Sequence, residues 1–209
     1  MGVVTEIREN RGMVEVLVDN ATLARVRKAH FDRCPLEVDD DIDPAEWLGR
    51  MAAVQFAEAY EAALSSLDRS AHTAHDLAGG LKRRGFVQPA IDAVLARLTE
   101  NGLIDDARYA RRMAELSATK PVGLYAFKRK LRARGISDDD AEDALAAFDD
   151  DQQRAAAIQA AQRLWKKYEA LPEREARAKL SQALARRGFS WDAIEGALEE
   201  VVELENSSI

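Results

Sequence analysis

The spacing of apolar and polar residues changes near residue 43. In the first thirty residues, short valine-rich runs are separated by the turn sequences Asn10-Arg11-Gly12 and Asp19-Asn20. Such runs between turns predict a β-hairpin or a three-stranded meander, which we expect to pack on a helix because so small a sheet is marginally stable alone. The acidic stretch Asp39–Asp43 lacks the spacing and glycine of a calcium loop and predicts a solvated hinge.

From residue 44 onward, apolar residues recur at helical spacing, and one hexapeptide occurs three times. It reads LKRRGF, LRARGI and LARRGF, and its glycines are Gly85, Gly135 and Gly188, separated by 50 and 53 residues. Apolar residues four and eight positions before each glycine share one helix face. The arginine before each glycine suits the last turn of a helix, and the glycine suits a left-handed residue after it. The hexapeptide therefore predicts a helix C-cap and turn.

Two further helices complete each repeat. A second helix is predicted directly after each glycine, where apolar residues recur six and ten positions on. Asp43-Pro44-Ala45-Glu46 predicts a helix start, and first helices are predicted at about Val54–Arg69, Asp105–Ala118 and Asp151–Tyr168. We predict an all-α body of three tandem three-helix repeats, forming an elongated, curved array. The expected boundaries are 1–43 for the strand-rich segment and acidic linker, then 44–101, 102–148 and 149–209, the last with a short tail.

Composition narrows the class of protein. A hydrophobic content of 47% and a charged content of 32% suit a soluble helical protein, and no apolar run approaches the ~20 residues that cross a bilayer. The start is charged too early for a secretory signal. Cys34 is the single cysteine, so we expect no internal disulfide, a passive thiol and a cytoplasmic location. No long apolar heptad seam requires a dimer, so we expect a monomer.

The sequence contains no convincing pattern of catalytic or metal-binding residues, and we expect no catalysis, no bound metal and no cofactor. His72 and His75 lack a third ligand, and Asp105-Asp106 suits a helix N-terminus better than Mg²⁺ or acid–base chemistry. Gly79-Gly80 lacks the Lys-Ser or Lys-Thr of a phosphate loop. Inside a helix this pair should cost about 1 kcal/mol per glycine relative to alanine and leave the helix loose or kinked. The aromatic residues are expected in the core: Trp165, Trp191, Tyr60, Tyr109 and Phe148.

Charge is the functional signal that remains. The net charge of −7 argues against a protein that simply coats DNA, yet residues 81–134 hold 13 Lys or Arg and 5 Asp or Glu, a net charge of +8. Few acidic residues share these helices. The cations could form a solvated exterior, contact phosphates, or contact the carboxylates of an acidic protein, and their spacing does not choose among these.

The chain resembles the RecX family of bacterial regulatory proteins, which modulate the recombinase RecA. Three segments carry the resemblance, LKRRGFVQPAIDAVLARLTENGLIDDARYARRM, FKRKLRARGISDDDAEDAL and KLSQALARRGFSWDAIEGAL. Gly102–Ala110 is similar to the family's join between first and second repeats, and Arg186–Ile194 to its last-repeat signature. The resemblance covers about residues 45–202, and the strand-rich start also fits longer members.

The resemblance implies a non-enzymatic inhibitor that binds RecA and the RecA–DNA filament along its helical groove. Such a protein suppresses strand exchange, ATP hydrolysis and co-protease activity, and so modulates recombination and the SOS response. The acidic ends of this chain would limit binding to naked DNA. The residues expected to carry the contact are Lys82, Arg83, Arg84, Arg108, Arg111, Arg112, Lys128, Arg129, Lys130, Arg132, Arg134, Arg186 and Arg187.

Two other functions stay open at the level of sequence. The chain could bind DNA directly and compete with the recombinase for single strands, in which case its binding would weaken steeply with salt and need no recombinase. It could also be a helical scaffold for an unrelated partner, because repeats alone do not define function.

Overall fold

The computed structural model describes residues 1–118, 120–146 and 148–206. The chain divides into two compact units, Met1–Asp105 and Asp106–Ile209. The first unit contains the strands and one three-helix repeat, and the second contains two further repeats. The predicted repeats and N-terminal strands are therefore confirmed.

The N-terminal strands form a four-stranded antiparallel sheet. Its strands are β1 (Gly2–Asn10), β2 (Met13–Val18), β3 (Ala21–Arg27) and β4 (Asp41–Ile42), in the order β3-β2-β1-β4. The two predicted turns connect β1 to β2 and β2 to β3, and both have positive φ at their central residues, as in type I′ hairpins. The fourth strand lies within the segment that we expected to be a hinge, where Asp41 pairs with Val3 and Ile42 with Gly2.

The sheet packs on the first long helix of the chain. A short helix α1 (Lys28–Phe31) follows β3, and α2 (Pro44–Leu67) begins ten residues before the predicted Val54. Asp43 is its N-cap, with a carboxylate that accepts the Ala45 N–H at 2.9 Å, as expected. Trp47 and Met51 of α2 are buried against the valines of the sheet.

The first repeat consists of α2, α3 (Ala74–Arg83) and α4 (Gln88–Glu100) around one apolar core. Thr73 is the N-cap of α3 and accepts the Asp76 N–H at 3.1 Å. The helix runs without a break through Gly79 and Gly80. Leu77 and Leu81, buried on either side of the glycine pair, anchor α3 to the core.

The second unit contains the other two repeats. Helices α5 (Asp106–Ala118), α6 (Leu124–Arg132) and α7 (Asp138–Leu145) share a core centred on Phe127 and Leu131. Helices α8 (Asp150–Trp165), α9 (Glu173–Arg186) and α10 (Trp191–Asn206) share an alanine-rich core that also contains Leu180, Leu184 and Ile194. The predicted starts of α5 and α8 differ by one residue from the observed ones.

The repeated hexapeptide ends a helix in the same way in all three repeats. Its glycines have φ of +83°, +73° and +81°. In the first copy, the Phe86 N–H donates to the Leu81 carbonyl and the Gly85 N–H to the Lys82 carbonyl, which is the Schellman pattern. The same two bonds recur in the other copies. The predicted C-cap and turn are confirmed.

A polar network centred on the buried Gln55 joins α1 and α2 to the first of these turns. Gln55 is fully buried, and its side chain accepts the Val87 N–H at 2.7 Å and donates to the Gly85 carbonyl at 3.0 Å. Its amide nitrogen lies 3.2 Å from His30 Nδ1, and His30 Nε2 lies 2.7 Å from a carboxylate oxygen of Glu58. Gln55 thus satisfies two backbone groups of the turn that no helix pairs.

Candidate partner-binding surface

The thirteen cations that the sequence singles out are accessible. Eleven are exposed, and Lys128 and Arg134 are half-buried. Three lie at the end of α3 in the first unit, and ten lie in the second unit. Their neighbours differ, and this divides them into cations held by the protein itself and cations left open to a partner.

Two of the cations on α6 are held by carboxylates of α7. Lys128 Nζ lies 2.8 Å from Glu142 Oε1, and Arg132 Nε lies 2.6 Å from Asp138 Oδ1. The hydrogen bond from Arg132 lowers the pKa of Asp138, and the same bond raises the pKa of Arg132. These ion pairs partly neutralise both cations, so they are weaker candidates for a partner than the sequence suggests.

Arg134 has a structural position in the second repeat. Its Nη1 donates to the Tyr109 hydroxyl at 2.7 Å, and its guanidinium carbon lies 5.6 Å from the centre of that ring. The contact ties the turn after α6 to α5. Arg134 is therefore committed to the fold, although its sequence position matches the other arginines.

Six of the thirteen cations form neither an ion pair nor a side-chain hydrogen bond with any residue that the structure describes. Arg111 and Arg112 are neighbours on α5, and the full set is Lys82, Arg83, Arg111, Arg112, Lys130 and Arg186. Their charges are exposed and not neutralised by the protein. They are the cations best suited to bind an acidic partner.

The second and third repeats meet where α6 begins and α9 ends. The Gly123 N–H donates to the Arg187 carbonyl at 3.1 Å, and the Tyr125 N–H donates to the Gly188 carbonyl at 3.0 Å. The Leu124 N–H donates to the Gln153 side chain at 3.0 Å. The free N–H groups of one helix start are thus satisfied largely by the free carbonyls of another helix end. We call this contact the α6–α9 junction.

The α6–α9 junction joins two basic sequences that are far apart in the chain. Arg129 Nη2 donates to the Arg186 carbonyl at 3.4 Å, across 57 residues of sequence. Arg187 follows directly and donates to the Ala183 carbonyl of its own helix at 3.1 Å. The guanidinium group of Arg129, in the second repeat, therefore lies against the backbone of the third repeat.

Two exposed aromatic residues lie at or close to the α6–α9 junction along the chain. Trp191 is 69% exposed and Tyr125 is 57% exposed. The chain from Gly188, which accepts the Tyr125 N–H, reaches Trp191 in three residues, or at most about 11 Å. Placing Trp191 in the core was wrong: Trp191 is the first residue of α10 and is exposed, and the buried positions near the start of that helix are taken by Ala193, Ile194 and Ala197. The sequence pattern does not single out Tyr125.

The remaining aromatic residues pack as expected. Trp165 is buried in the core of the third repeat. Tyr60 packs against the core of the first repeat, and Tyr109 and Phe148 pack against that of the second.

Other candidate chemistry is not assembled in the described part of the chain. Among those residues, no group of three His, Cys, Asp or Glu side chains is arranged to hold a metal ion. Asp106 begins α5 and Asp105 precedes it, as the helix-start interpretation expected. Cys34 is buried, and Arg50 Nη2 lies 3.4 Å from its sulfur. Within residues 1–118, 120–146 and 148–206, no helix is long and apolar enough to span a membrane.

These features define a tandem three-helix-repeat protein with a small antiparallel sheet at its start. Three family models match it in order, the first three-helix domain of RecX at residues 59–98, the second at 105–145 and the third at 150–198. Together they span more than half of the chain. The chain belongs to the RecX family of regulatory proteins.

Individual relatives and solved structures agree with this assignment. "Regulatory protein RecX" of Prosthecochloris aestuarii (strain DSM 271 / SK 413) is 34% identical over 148 residues, covering 69% of this chain and 94% of the relative. That of Limosilactobacillus reuteri (strain DSM 20016) is 27% identical over 198 residues, covering 94% and 75%. A crystal structure of regulatory protein RecX matches with a TM-score of 0.66 and 26% identity, covering 93% of this chain and 98% of that one. The RecX structure from Lactobacillus salivarius matches with a TM-score of 0.64 and 28% identity, covering 71% and 97%.

Proposed function

We propose that this protein binds RecA and the RecA–DNA filament and inhibits strand exchange, ATP hydrolysis and co-protease activity. It would thereby modulate homologous recombination and the SOS response. We further propose that it acts in the cytoplasm as a monomer. Membership of the RecX family supports the choice of partner, and the α6–α9 junction is the observation that carries the proposal.

The composition of the α6–α9 junction suits a protein partner. Trp, Tyr and Arg dominate the binding energy of protein–protein interfaces, and here Trp191, Tyr125 and Arg186 are all exposed. Exposing a tryptophan to this extent leaves a large apolar surface in water, which a partner would cover. The guanidinium groups of Arg129, Arg186 and Arg187 can pair with carboxylates in a bidentate geometry.

The charge distribution supports a filament partner over naked DNA. The whole chain has a net charge of −7, which disfavours indiscriminate association with phosphates. The six cations that form neither an ion pair nor a side-chain hydrogen bond with a described residue are all exposed. A partner must therefore present its acidic groups where these cations lie, and a protein surface can do so specifically.

Inhibition without catalysis follows from linkage. A binder shifts a conformational equilibrium only by the difference between its affinities for the two states. We propose that this protein binds most tightly to a filament state that exchanges strands and hydrolyses ATP slowly. No chemical group from this chain is needed for that effect.

The test is the rate of single-strand-dependent ATP hydrolysis by the cognate RecA, with this protein well below one per recombinase subunit. A parallel titration measures its binding to the same DNA alone. Strong inhibition at concentrations that barely bind DNA supports a filament regulator. No inhibition at any concentration contradicts the proposal and leaves the fold unaffected.

A matched pair of variants connects the effect to the α6–α9 junction. Arg186→Gln removes a cation at the end of α9, and Arg174→Gln removes an exposed cation at the start of the same helix. We expect Arg186→Gln to weaken inhibition and Arg174→Gln to leave it unchanged. Equal effects would show that only net charge matters.

Direct competition for single-stranded DNA is a second candidate. The observation that favours it is the pair Arg111 and Arg112, exposed on α5 without an ion pair to a described residue. Such cations can contact successive phosphates. If this function holds, inhibition appears only at concentrations that saturate the DNA, and the logarithm of the binding constant falls linearly with the logarithm of salt concentration.

A further inference from the structure

A cleft of about 360 Å³ lies between the end of α2 and helix α3, within the first unit. Its floor is apolar, formed by Ala63, Leu77 and Leu81. Its rim is polar, and the rim residues that matter here are Arg69, His72, Asp76, Gly80, Arg83 and Arg84. The cleft is distinct from the α6–α9 junction, which lies in the other unit.

The cleft contains an excess of positive charge. Three guanidinium groups and one carboxylate line it. Arg69 donates to the Ser66 hydroxyl at 3.4 Å and Arg84 to the Ala62 carbonyl at 3.5 Å, both neutral groups. None of the three arginines forms an ion pair with a residue in the described part of the chain. Asp76 lies in the first turn of α3, where the helix N-terminus already stabilises its charge.

The glycine pair of α3 is not explained by the fold. Neither Gly79 nor Gly80 has a positive φ. A Cβ at Gly79 would lie 3.4 Å from Arg83 Nη1, and one at Gly80 would lie 4.0 Å from Arg83 Nη2, so both positions have room for alanine. Alanine would also favour the helix. Packing therefore does not require glycine at either position.

The two glycines differ in their position relative to the cleft. Gly80 lines the cleft, while Gly79 does not. The missing side chain at Gly80 keeps the space beneath the Arg83 guanidinium open. A residue that weakens the helix but opens a cleft between three arginines is expected where a ligand enters.

We propose that this cleft binds a phosphate group through Arg69, Arg83 and Arg84. The planar guanidinium group matches the geometry of phosphate oxygens. Three guanidinium groups supply more positive charge than a ligand with a single carboxylate would need, which favours a phosphate. The phosphate can come from a free mononucleotide or from the backbone of a nucleic-acid strand. The proposal goes beyond the regulation of RecA, and its test needs no recombinase.

The test measures binding of three probes to the full chain at low, constant chloride: inorganic phosphate, dTMP and a 12-residue oligo-dT. Binding of phosphate is followed by NMR titration, and binding of the other two by calorimetry. We expect all three to bind at the cleft. Equal affinity per phosphate for dTMP and oligo-dT assigns the site to free nucleotides, and tighter binding of oligo-dT assigns it to a strand.

Charge variants locate the binding site. Arg83→Gln removes a cleft arginine, and we expect at least about tenfold weaker binding of every probe. Lys82→Gln is the matched control, because it removes the same charge from the adjacent residue, which does not line this cleft. Equal affinities for wild type and Arg83→Gln, or equal losses in both variants, would overturn the proposal.

Glycine variants separate the ligand from the fold. Gly80→Leu fills the cleft, and Gly79→Ala changes the same helix outside it. We expect each to raise the thermal midpoint by about 2–4 °C, because each replaces a helix-weakening residue. Only Gly80→Leu should abolish phosphate binding. Wild-type binding by Gly80→Leu would overturn the proposal, as would displacement of phosphate by a poly-glutamate peptide at a lower concentration than dTMP.

Failure here and failure of RecA regulation are distinguishable. A chain that inhibits the recombinase but binds no phosphate retains the first function and loses this one. A chain that binds phosphate in an Arg83-dependent manner, with no effect on RecA, shows the reverse.

Discussion

Gly123 and Gly188 meet backbone to backbone, although 65 residues separate them. A Cβ at Gly123 would lie 2.1 Å from the carbonyl carbon of Gly188, and a Cβ at Gly188 would lie 2.1 Å from the Ala126 nitrogen. Only glycine fits at either position, because the obstructing atoms are backbone and cannot rotate away. The α6–α9 junction, with the arginines and aromatics around it, depends on this pair.

The first prediction concerns this contact. Gly123→Ala should lower the free energy of unfolding by roughly 2–4 kcal/mol, since the overlap can be relieved only by separating the two helices. Urea denaturation measures the change. Gly196→Ala is the control, because its Cβ would lie 3.5 Å from Arg154 Nε in ordinary contact. The control should be neutral or stabilising, and equal losses in both variants would contradict the importance of the junction.

A second prediction addresses Gln55. Gln55→Leu would leave the Val87 N–H and the Gly85 carbonyl without their buried partner, and each unsatisfied group costs about 1–3 kcal/mol. We expect a loss of roughly 3 kcal/mol in the free energy of unfolding. Gln88→Leu removes only an exposed bond to Asp92 and should change stability by less than about 0.5 kcal/mol. If Gln55→Leu were equally mild, water would have to satisfy the turn.

The third prediction is a dependence on pH. Partial burial raises the pKa of Glu58. Hydrogen bonds from His30 and Arg27, together with the Arg27 charge, lower it by more, so the pKa of Glu58 lies below its ordinary value of 4.5. A carboxylate with a lowered folded-state pKa stabilises the fold fully above about pH 4.5. That contribution is lost as the pH falls through the folded-state value.

Chemical denaturation between pH 6 and pH 3 measures this contribution. The stability of the wild type should exceed that of Glu58→Gln at pH 6, and the difference should shrink towards pH 3. Glu61→Gln, which alters an exposed residue of α2 that forms no ion pair with a described residue, supplies the control. A difference that stays constant with pH would show that Glu58 contributes through packing and not through its charge.

The fourth prediction tests the exposed tryptophan. Trp191→Ala should change the free energy of unfolding by less than about 0.5 kcal/mol, because its side chain is mostly in solvent. Inhibition of the RecA ATPase should weaken by about tenfold or more, as expected for an interface anchor. Val38→Ala, at another exposed apolar residue, should change neither quantity. Unaltered inhibition by Trp191→Ala would remove this residue from the contact.

The fifth prediction tests the cations of α5. Reversing both charges with Arg111→Glu and Arg112→Glu should weaken binding to the RecA filament at physiological salt. Arg163→Glu, at an exposed cation of α8, is the single-charge control, and a second reversal at Arg174 matches the total change. If filament binding were unchanged by the α5 reversals, Arg111 and Arg112 would be excluded from the surface.

Local sequence rules account for most of the fold. The Schellman turns were predictable because their determinants, a leucine, an arginine and a glycine, lie within six residues of each other. The strand β4 was not predictable, because two residues are too few to show the alternation of apolar and polar residues that marks a strand. Asp41 and Ile42 become a strand only through pairing with β1.

The candidate surface was less predictable, for a physical reason. Sequence identifies thirteen cations, but only tertiary contacts decide that Arg132 faces Asp138 while Lys130 faces solvent. Likewise, periodicity marks the apolar face of α10 but not the direction of a residue in its first turn. Trp191 is exposed because of where the first turn of α10 lies in the folded repeat, and the sequence pattern does not reveal that placement.

The Schellman turn also has a consequence for how this chain could have grown by duplication. The Gly85 turn is covered by the sheet, where an added Cβ would meet Met13 Cε at 2.6 Å, and the Gly188 turn is covered by α6. The same helix ending thus packs against two unrelated neighbours, a strand in one case and a helix start in the other. A duplicated repeat would carry the same helix ending, and only the segment that packs on that ending would have to change.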